Sequence, residues 1–140
     1  MNLNIPIKEI MNVNFMTIGS NEYLSKAEKM IYQSKLKHLP VVRAGKLVGI
    51  ITKTDIKRMS FADSFDEAEA EIDENIFKML KVSQVMTTKP FTLASSATVK
   101  DLAEVLAKKE FRTIPIVDEG NLVGMVSTRD LINFFLKENA

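Results

Sequence analysis

The sequence predicts an α+β protein made of two tandem copies of a β-α-β-β-α unit. The stretch LVGIITKTDI at residues 47–56 recurs as LVGMVSTRDL at residues 122–131. At an offset of 75 residues the two halves align without a gap, from Ile7 opposite Val82 to Asp55 opposite Asp130. Each copy alone can form little core. We therefore expect the two copies to pack through their sheets with pseudo-twofold symmetry.

Each copy contains an amphipathic helix near its start. Thr98 and Asp101 form an S/T-x-x-D capping pattern, and apolar residues at helical spacing follow, which predicts a helix over roughly 98–110. The first copy repeats the apolar pattern more loosely, and we expect its helix to begin near Asn21 or Glu22.

Two hairpins follow these helices. LPVVR and LVGII are joined by residues 44–46, and IPIVD and LVGMV are joined by residues 119–121. Proline lacks an amide donor, so Pro40 and Pro115 are expected at a strand start or on an edge.

A second helix is expected after each hairpin, over about 53–60 and 128–138. Short stretches at residues 15–18 and 91–93 indicate a leading strand in each copy.

Glycine recurs inside one strand of each hairpin, at Gly49 and Gly124. Glycine weakens a strand, so each position predicts a bulge or a close backbone approach. The approaching group is either a ligand or the facing helix.

An acidic segment separates the copies, which gives repeat 1 at residues 1–60, a helical linker at 61–81 and repeat 2 at 82–140. Ser64 and Glu67 form a capping box in the linker. Its carboxylates suggest a cation site or a surface for a basic partner, but a solvated helix face is the favoured interpretation.

Composition argues against several classes of function. Lys and Arg number 19 against 18 Asp and Glu, and this net charge of +1 gives no general attraction to nucleic acid or to a membrane. No apolar run approaches the roughly 20 residues that span a bilayer, and the N-terminus lacks a signal-peptide pattern. We therefore expect a cytosolic protein. With no Cys and one histidine, His38, we expect no disulfide and no metal site.

Several short motifs occur twice in register. They are the leaders I-x-x-[IV]-M at 7–11 and V-x-x-V-M at 82–86, the h-P-[VI]-V strands around Pro40 and Pro115, and G-h-h-[ST]-x-x-D at 49–55 and 124–130. The set resembles a pair of CBS domains, the Bateman module, over nearly the whole chain. That resemblance implies paired CBS units with a ligand cleft for each, and a homodimer of such chains.

The S/T-x-x-D pairs Thr52 with Asp55 and Ser127 with Asp130 are first of all helix caps. A hydroxyl and a carboxylate at a helix start can also bond the two hydroxyls of a ribose. By the resemblance, the two pairs would be ribose clamps.

The resemblance also implies residues around the base and the phosphates. Those around the base would be Thr17, Leu39, Pro40, Thr92, Ile114 and Pro115, for whose apolar members core packing is the alternative. Those near the phosphates would be Lys37, His38, Arg112 and Arg129, with Lys53 a weaker candidate. Each is individually more typical of a surface charge or, for the histidine, of a structural donor.

The function predicted from these features is a sensor. An adenosine-containing ligand such as AMP, ADP or ATP would bind the clefts, and the occupied module would act on a separate partner protein. No catalytic cofactor is expected. Two alternatives remain, a ligand-free interaction module and an enzyme acting on nucleotides with Asp55 or Asp130 as a base. The second lacks a P-loop and a cysteine nucleophile.

Overall fold

A computed structural model of the chain describes residues 1–60 and 74–139. It has a mixed α/β fold and divides into two compact units. The first unit comprises Met16–Pro90, and the second comprises Met1–Phe15 together with Phe91–Ala140. Each compact unit therefore combines the leader of one sequence repeat with the body of the other.

The first compact unit holds a small sheet and its helices. Its elements are β1 (Ile18–Gly19), α1 (Leu24–Gln33), β2 (His38–Arg43), β3 (Lys46–Thr52), α2 (Lys53–Arg58), a helical stretch over 74–79 (α3), α4 (Val82–Val85) and β4 (Thr87–Thr88). Strand β2 pairs parallel with β1 and antiparallel with β3, and β3 pairs antiparallel with β4. Buried side chains such as Ile31, Leu39 and Ile51 fill the space between helices and sheet.

The second compact unit repeats this plan. Its elements are a 3-10 turn (Ile7–Glu9), α5 (Val99–Lys108), β5 (Thr113–Asp118), β6 (Asn121–Ser127) and α6 (Thr128–Glu138). Strands β5 and β6 form the second antiparallel hairpin. Ile7 of the leader is fully buried in the same core as Val99, Leu102 and Ile116.

The predicted order of helices and hairpins is confirmed, with differences at the boundaries. Helix α1 begins at Leu24, later than expected, because Tyr23 is its N-cap and offers no side-chain hydrogen bond. The leading strand of the second copy is a single bridge between Leu93 and Ile116. Both leaders contain short helical turns, and β4 follows the second leader; none of these was predicted.

The linker prediction falls mainly outside the described residues. The Ser64 and Glu67 capping box and all but one of the linker carboxylates lie within residues 61–73. The described part is helical over residues 74–79, where Lys78 pairs with Glu74 at 2.9 Å. None of the described helices is long and apolar enough to cross a membrane.

One predicted alternative placed the two prolines at the start of their strands, and this alternative is wrong. Pro40 and Pro115 are each the third residue of β2 and β5. The backbone of Pro115 faces away from β6, since its carbonyl accepts the Leu93 N–H at 3.3 Å. A missing donor is tolerated on this outer side, where it breaks no bond of the hairpin.

Gly49 and Gly124 have a close neighbour, as expected, but the neighbour is a leader methionine. A Cβ atom at Gly49 would lie 2.5 Å from Met86 Sδ and 2.7 Å from the Thr87 carbonyl oxygen. The three atoms nearest to a Cβ atom at Gly124 would all belong to the side chain of Met11. The approaching group is therefore neither a ligand nor a facing helix. In both cases it is a methionine from the leader of the other repeat.

The predicted bulges are also present. The register of the first hairpin shifts between Val41 and Val42, and that of the second shifts between Ile116 and Val117. The extra residues are Val48 and Val123, each of which directly precedes the glycine on its own strand. A bulge bends its strand, here at the point where the leader packs.

We predict that Gly124→Ala destabilises the fold by about 1–3 kcal/mol through overpacking against Met11. The double variant with Met11→Ala should lose less stability than the sum of the single variants, because the two atoms nearest to the added Cβ are Sδ and Cγ of Met11, which alanine lacks. Urea unfolding of the three variants measures this coupling.

Gly49→Ala is the matched control. Met86→Ala should not rescue it, since the Thr87 carbonyl still obstructs the added Cβ. Additive losses at Gly124 would contradict the role assigned to Met11.

Candidate functional site

The Ser127 and Asp130 pair lies where β6 ends and α6 begins. The Ser127 N–H donates to Asp130 Oδ2 at 2.7 Å, and the Asp130 N–H donates to Ser127 Oγ at 3.2 Å. The Ser127 hydroxyl also lies 2.9 Å from Asp130 Oδ2. These contacts form a complete capping box at the helix start.

The Thr52 and Asp55 pair has the same geometry at the start of α2. The Thr52 N–H donates to Asp55 Oδ2 at 2.8 Å, and the Asp55 N–H donates to Thr52 Oγ1 at 3.1 Å. The capping role is therefore present in both repeats. In each box the carboxylate accepts the N-cap N–H with one oxygen, Oδ2, so the other oxygen is not used by the cap.

The two aspartates differ in what surrounds that other oxygen. Asp55 has a side chain only 6% exposed, and its Oδ1 lies 3.5 Å from the Arg58 guanidinium. Asp130 is partly exposed, and no hydrogen bond or ion pair of the described residues engages its Oδ1. Asn133 occupies the position of Arg58 in the second repeat. The acceptor on Asp130 is therefore available, whereas that on Asp55 is occupied.

Asp130 lines a cavity of about 320 Å³ in the second compact unit. The leader contributes Ile5, Glu9 and Ile10 to this cavity, and α6 contributes Asn133, Phe134, Lys137 and Glu138. The volume lies at the lower end of the range of small-molecule sites.

The basic residues predicted near the phosphates fall into two groups. Arg112 lies beside the start of α6, because its carbonyl accepts the Thr128 N–H at 2.9 Å, and the exposed Arg129 follows in the first helical turn. Lys37 is likewise held at the start of α2 by a 2.9 Å bond from the Lys53 N–H to its carbonyl. Lys37 and Lys53 line a separate cavity that does not include Asp55.

The residues predicted around the base are arranged by the sheet register. Thr17 and Thr92 are partly exposed and immediately precede the residues that pair with β2 and β5. Leu39 and Ile114 are 0% and 1% exposed and belong to the two cores. Pro40 and Pro115 are buried as well. These four side chains agree with the alternative of core packing.

His38 is the first residue of β2 and pairs with Thr52 across the hairpin. Burial, and to a smaller extent the charge of Lys37, hold the pKa of His38 below its ordinary value. The imidazole is therefore neutral at neutral pH, and it offers a hydrogen bond there and no positive charge.

Arg58 was not identified as a site residue from the sequence. Its i, i+3 spacing from Asp55 on a helix was the available signal, because residues at that spacing share a face. Among the described residues, no group of three or more His, Cys, Asp or Glu side chains could hold a metal ion.

Comparison with known proteins identifies the two repeats. A model of the CBS domain matches residues 7–61 and 82–137. The CBS domain-containing protein YhcV of Bacillus subtilis (strain 168) is 29% identical over 135 residues, which cover 96% of this chain and 89% of that protein. Homoserine O-acetyltransferase of Methanococcus vannielii is 32% identical, but the match covers 91% of this chain and only 24% of the enzyme.

Solved structures show the same fold. CBSX2 in complex with AMP superposes with a TM-score of 0.79 at 22% identity, covering 97% of this chain and 99% of that one. The CBS domain pair of protein MJ0100 in complex with 5′-methylthioadenosine and S-adenosyl-L-methionine gives a TM-score of 0.69 at 28% identity, covering 93% and 98%.

We predict that His38 makes stability fall as the pH drops below about 6.5, the ordinary histidine value. The folded state holds the pKa of His38 below that value. The unfolded chain consequently binds the proton more readily, and protonation favours unfolding. Urea unfolding at pH 7.5 and at pH 5.5 measures the effect.

The His38→Gln variant is the control, since it removes the single histidine of the chain. Its stability should depend less on pH over this interval. An equal pH dependence in both proteins would contradict the assignment.

Proposed function

The chain belongs to the CBS domain family, and from this membership we propose that it is a regulatory module that binds an adenosine-containing ligand. The ligand class is an adenine nucleotide such as AMP, ADP or ATP. Occupancy is transmitted to a separate partner protein, because a ligand that binds one conformation more tightly shifts the population toward it. The relatives solved with AMP and with S-adenosyl-L-methionine support this class of ligand.

The observation that favours ligand binding is the open carboxylate oxygen of Asp130. Capping uses Oδ2, and Asp130 lines a cavity of about 320 Å³. A carboxylate oxygen in this position accepts a hydrogen bond from a ribose hydroxyl, and hydrogen bonds to charged groups contribute about 1.5–3 kcal/mol. Ser127 adds a hydroxyl beside it.

The same geometry indicates which of the two clamps binds a ribose more tightly. At Asp55 a ribose hydroxyl has to displace the Arg58 guanidinium and reach a side chain that is 6% exposed. At Asp130 it meets neither obstacle. The second clamp is therefore the primary site in this proposal, and the first is weaker or filled only at high ligand concentration.

Charge supports a phosphate-bearing ligand at the second clamp. Arg112 and Arg129 both lie at the start of α6, where the helix dipole already favours an anion. Guanidinium groups bind phosphate with paired, charge-assisted hydrogen bonds. S-adenosylmethionine has no phosphate and carries a positive sulfonium, so these two residues favour a nucleotide over it.

The completeness of both capping boxes favours a second candidate, a ligand-free interaction module. Such a module would use the clamps only as helix caps and would bind a second copy or a partner through exposed apolar side chains. Ile132 and Leu136 of α6 are 50% and 66% exposed and provide a surface for that role. Homodimerisation through such a surface is compatible with either candidate.

We predict that Asp130→Asn weakens AMP binding about tenfold or more, the equivalent of about 1.4 kcal/mol or more. The Asn carbonyl can still accept the Ser127 N–H and keep the cap, whereas its amide group replaces the free acceptor. Isothermal titration with AMP, ADP, ATP and adenosine measures the change, and thermal unfolding checks the fold.

Asp55→Asn is the matched control and should have much less effect on the tighter site. If no adenosine compound binds the unmodified protein, the ligand-free module replaces the proposal.

We further predict that Arg58→Asn, which copies Asn133 of the second repeat, increases the number of AMP molecules bound per chain. The substitution frees Asp55 Oδ1 from its ion pair. Titration of the variant should show an additional binding event that Asp55→Asn abolishes in the double variant. An unchanged stoichiometry would show that Arg58 does not limit access to the first clamp.

A further inference from the structure

We propose that a cavity of about 330 Å³ between α1 and α2 is a second anion site, separate from the ribose clamps, that binds a small polyphosphate. The cavity belongs to the first compact unit. It is lined by Ile31, Tyr32, Lys35, Leu36, Lys37, Lys53, Thr54 and Lys57. The chemistry that it recognises is a compact chain of linked phosphate groups, as in pyrophosphate or tripolyphosphate.

Four of the eight lining residues are lysines, and none is acidic. The ion pairs formed by the described residues are Lys26 with Glu22, Arg58 with Asp55, and Lys78 with Glu74. No pocket lysine takes part in them. In a chain with a net charge of +1, four ammonium groups around one concavity are a strong local concentration of positive charge. Their mutual repulsion is relieved when an anion enters.

The cavity is distinct from the first clamp. Lys53 and Lys57 share one face of α2, because they are four residues apart. Asp55 lies about 200° around the helix axis from Lys53, on the opposite face. Asp55 is accordingly absent from the lining of the pocket, and the proposal does not depend on adenosine binding.

The fold does not require these lysines. In the second repeat the positions of Lys35, Lys37, Lys53 and Lys57 are taken by Glu110, Arg112, Thr128 and Ile132. One copy of the same framework therefore carries four positive charges where the other carries one positive, one negative and two uncharged residues. The concentration of charge is specific to the first repeat.

Lys35 occupies a position where lysine is unfavourable. Its φ angle is 54°, in the left-handed region, directly after α1. The Leu36 N–H closes the helix by donating to the Ile31 carbonyl at 2.9 Å, the pattern that usually places glycine at this position. A lysine here has a conformational cost, and a charge directed to the pocket is a reason for it.

The arrangement of the lysine side chains suits a compact anion. The Lys53 ammonium lies 5.1 Å from the centre of the Tyr32 ring, which positions that charge on the wall of the cavity. The bond from the Lys53 N–H to the Lys37 carbonyl, 2.9 Å long, fixes the loop against α2. Lysine ammonium groups bind phosphate as point charges with three donors each, and several of them match an anion with oxygens on all sides.

Isothermal titration of the intact chain with pyrophosphate and tripolyphosphate, at constant ionic strength, tests the proposal. We expect saturable binding that weakens at least tenfold in the variant Lys53→Gln with Lys57→Gln. The variant Lys8→Gln with Lys100→Gln is the matched control, since it removes the same charge from exposed lysines elsewhere in the chain. The control should bind within about threefold of the unmodified protein. Equal loss in both variants, or no saturable binding by the unmodified protein, would overturn the proposal.

Two further arms separate this site from the adenosine site. Asp130→Asn should leave tripolyphosphate binding unchanged, and the pocket variant should still bind adenosine if the clamp proposal is correct. If only ATP binds, and both substitutions weaken its binding, the pocket binds the phosphate groups of a nucleotide. The proposal of a separate polyphosphate site would then be wrong.

The variant Lys35→Gly tests whether weaker polyphosphate binding could result from misfolding. Glycine suits the left-handed backbone, so the thermal midpoint should rise while polyphosphate binding weakens. Weakened binding in a more stable protein cannot result from unfolding. Unchanged binding would remove Lys35 from the site.

Discussion

The packing of a leader methionine against a hairpin glycine is the contact on which the rest of the structure depends. Met86 covers Gly49 and Met11 covers Gly124, and neither contact has room for a Cβ atom. Backbone bonds continue the attachment, since Asn12 and Met125 exchange hydrogen bonds of 2.7 and 2.9 Å. Each compact unit is completed by a segment of the other repeat. Neither repeat alone contains all the parts of one unit as this chain forms it.

The same strands connect this contact to the candidate site. Gly49 and Thr52 lie on β3, and Gly124 and Ser127 lie on β6, so that the capping residue is the third residue after the packed glycine in each strand. A displacement of a leader would bend the strand that ends at a clamp, and a ligand held at a clamp would resist that displacement. Coupling of this kind acts equally in both directions. The leader is therefore a physically reasonable route between ligand occupancy and a partner.

Much of the fold could be predicted because local patterns and the duplication agreed. The cap at Thr98 and the alternation of the hairpin strands are local, and they gave α5 and the hairpins nearly to the residue. The leader exchange could not be predicted, because it pairs residues far apart in sequence and Gly49 indicates a close neighbour without identifying it. For the site, the four clamp positions follow from the motif. The state of Asp55 does not, since it depends on the Arg58 rotamer and on burial.

The two repeats keep the motif and differ in the residues beside it. The two backbone N–H bonds of each capping box agree within 0.1 Å, with lengths of 2.8 and 3.1 Å for Thr52 with Asp55 and of 2.7 and 3.2 Å for Ser127 with Asp130. Helix capping requires this geometry whatever the function, so the boxes themselves cannot distinguish a binding site from a structural turn. The distinguishing residues lie one helical turn further on, where Arg58 faces one carboxylate and Asn133 stands at the equivalent position near the other. If the proposed clamps bind a ligand, the neighbours of the motif would determine which clamp is occupied, and these neighbours are free to change because the cap does not need them.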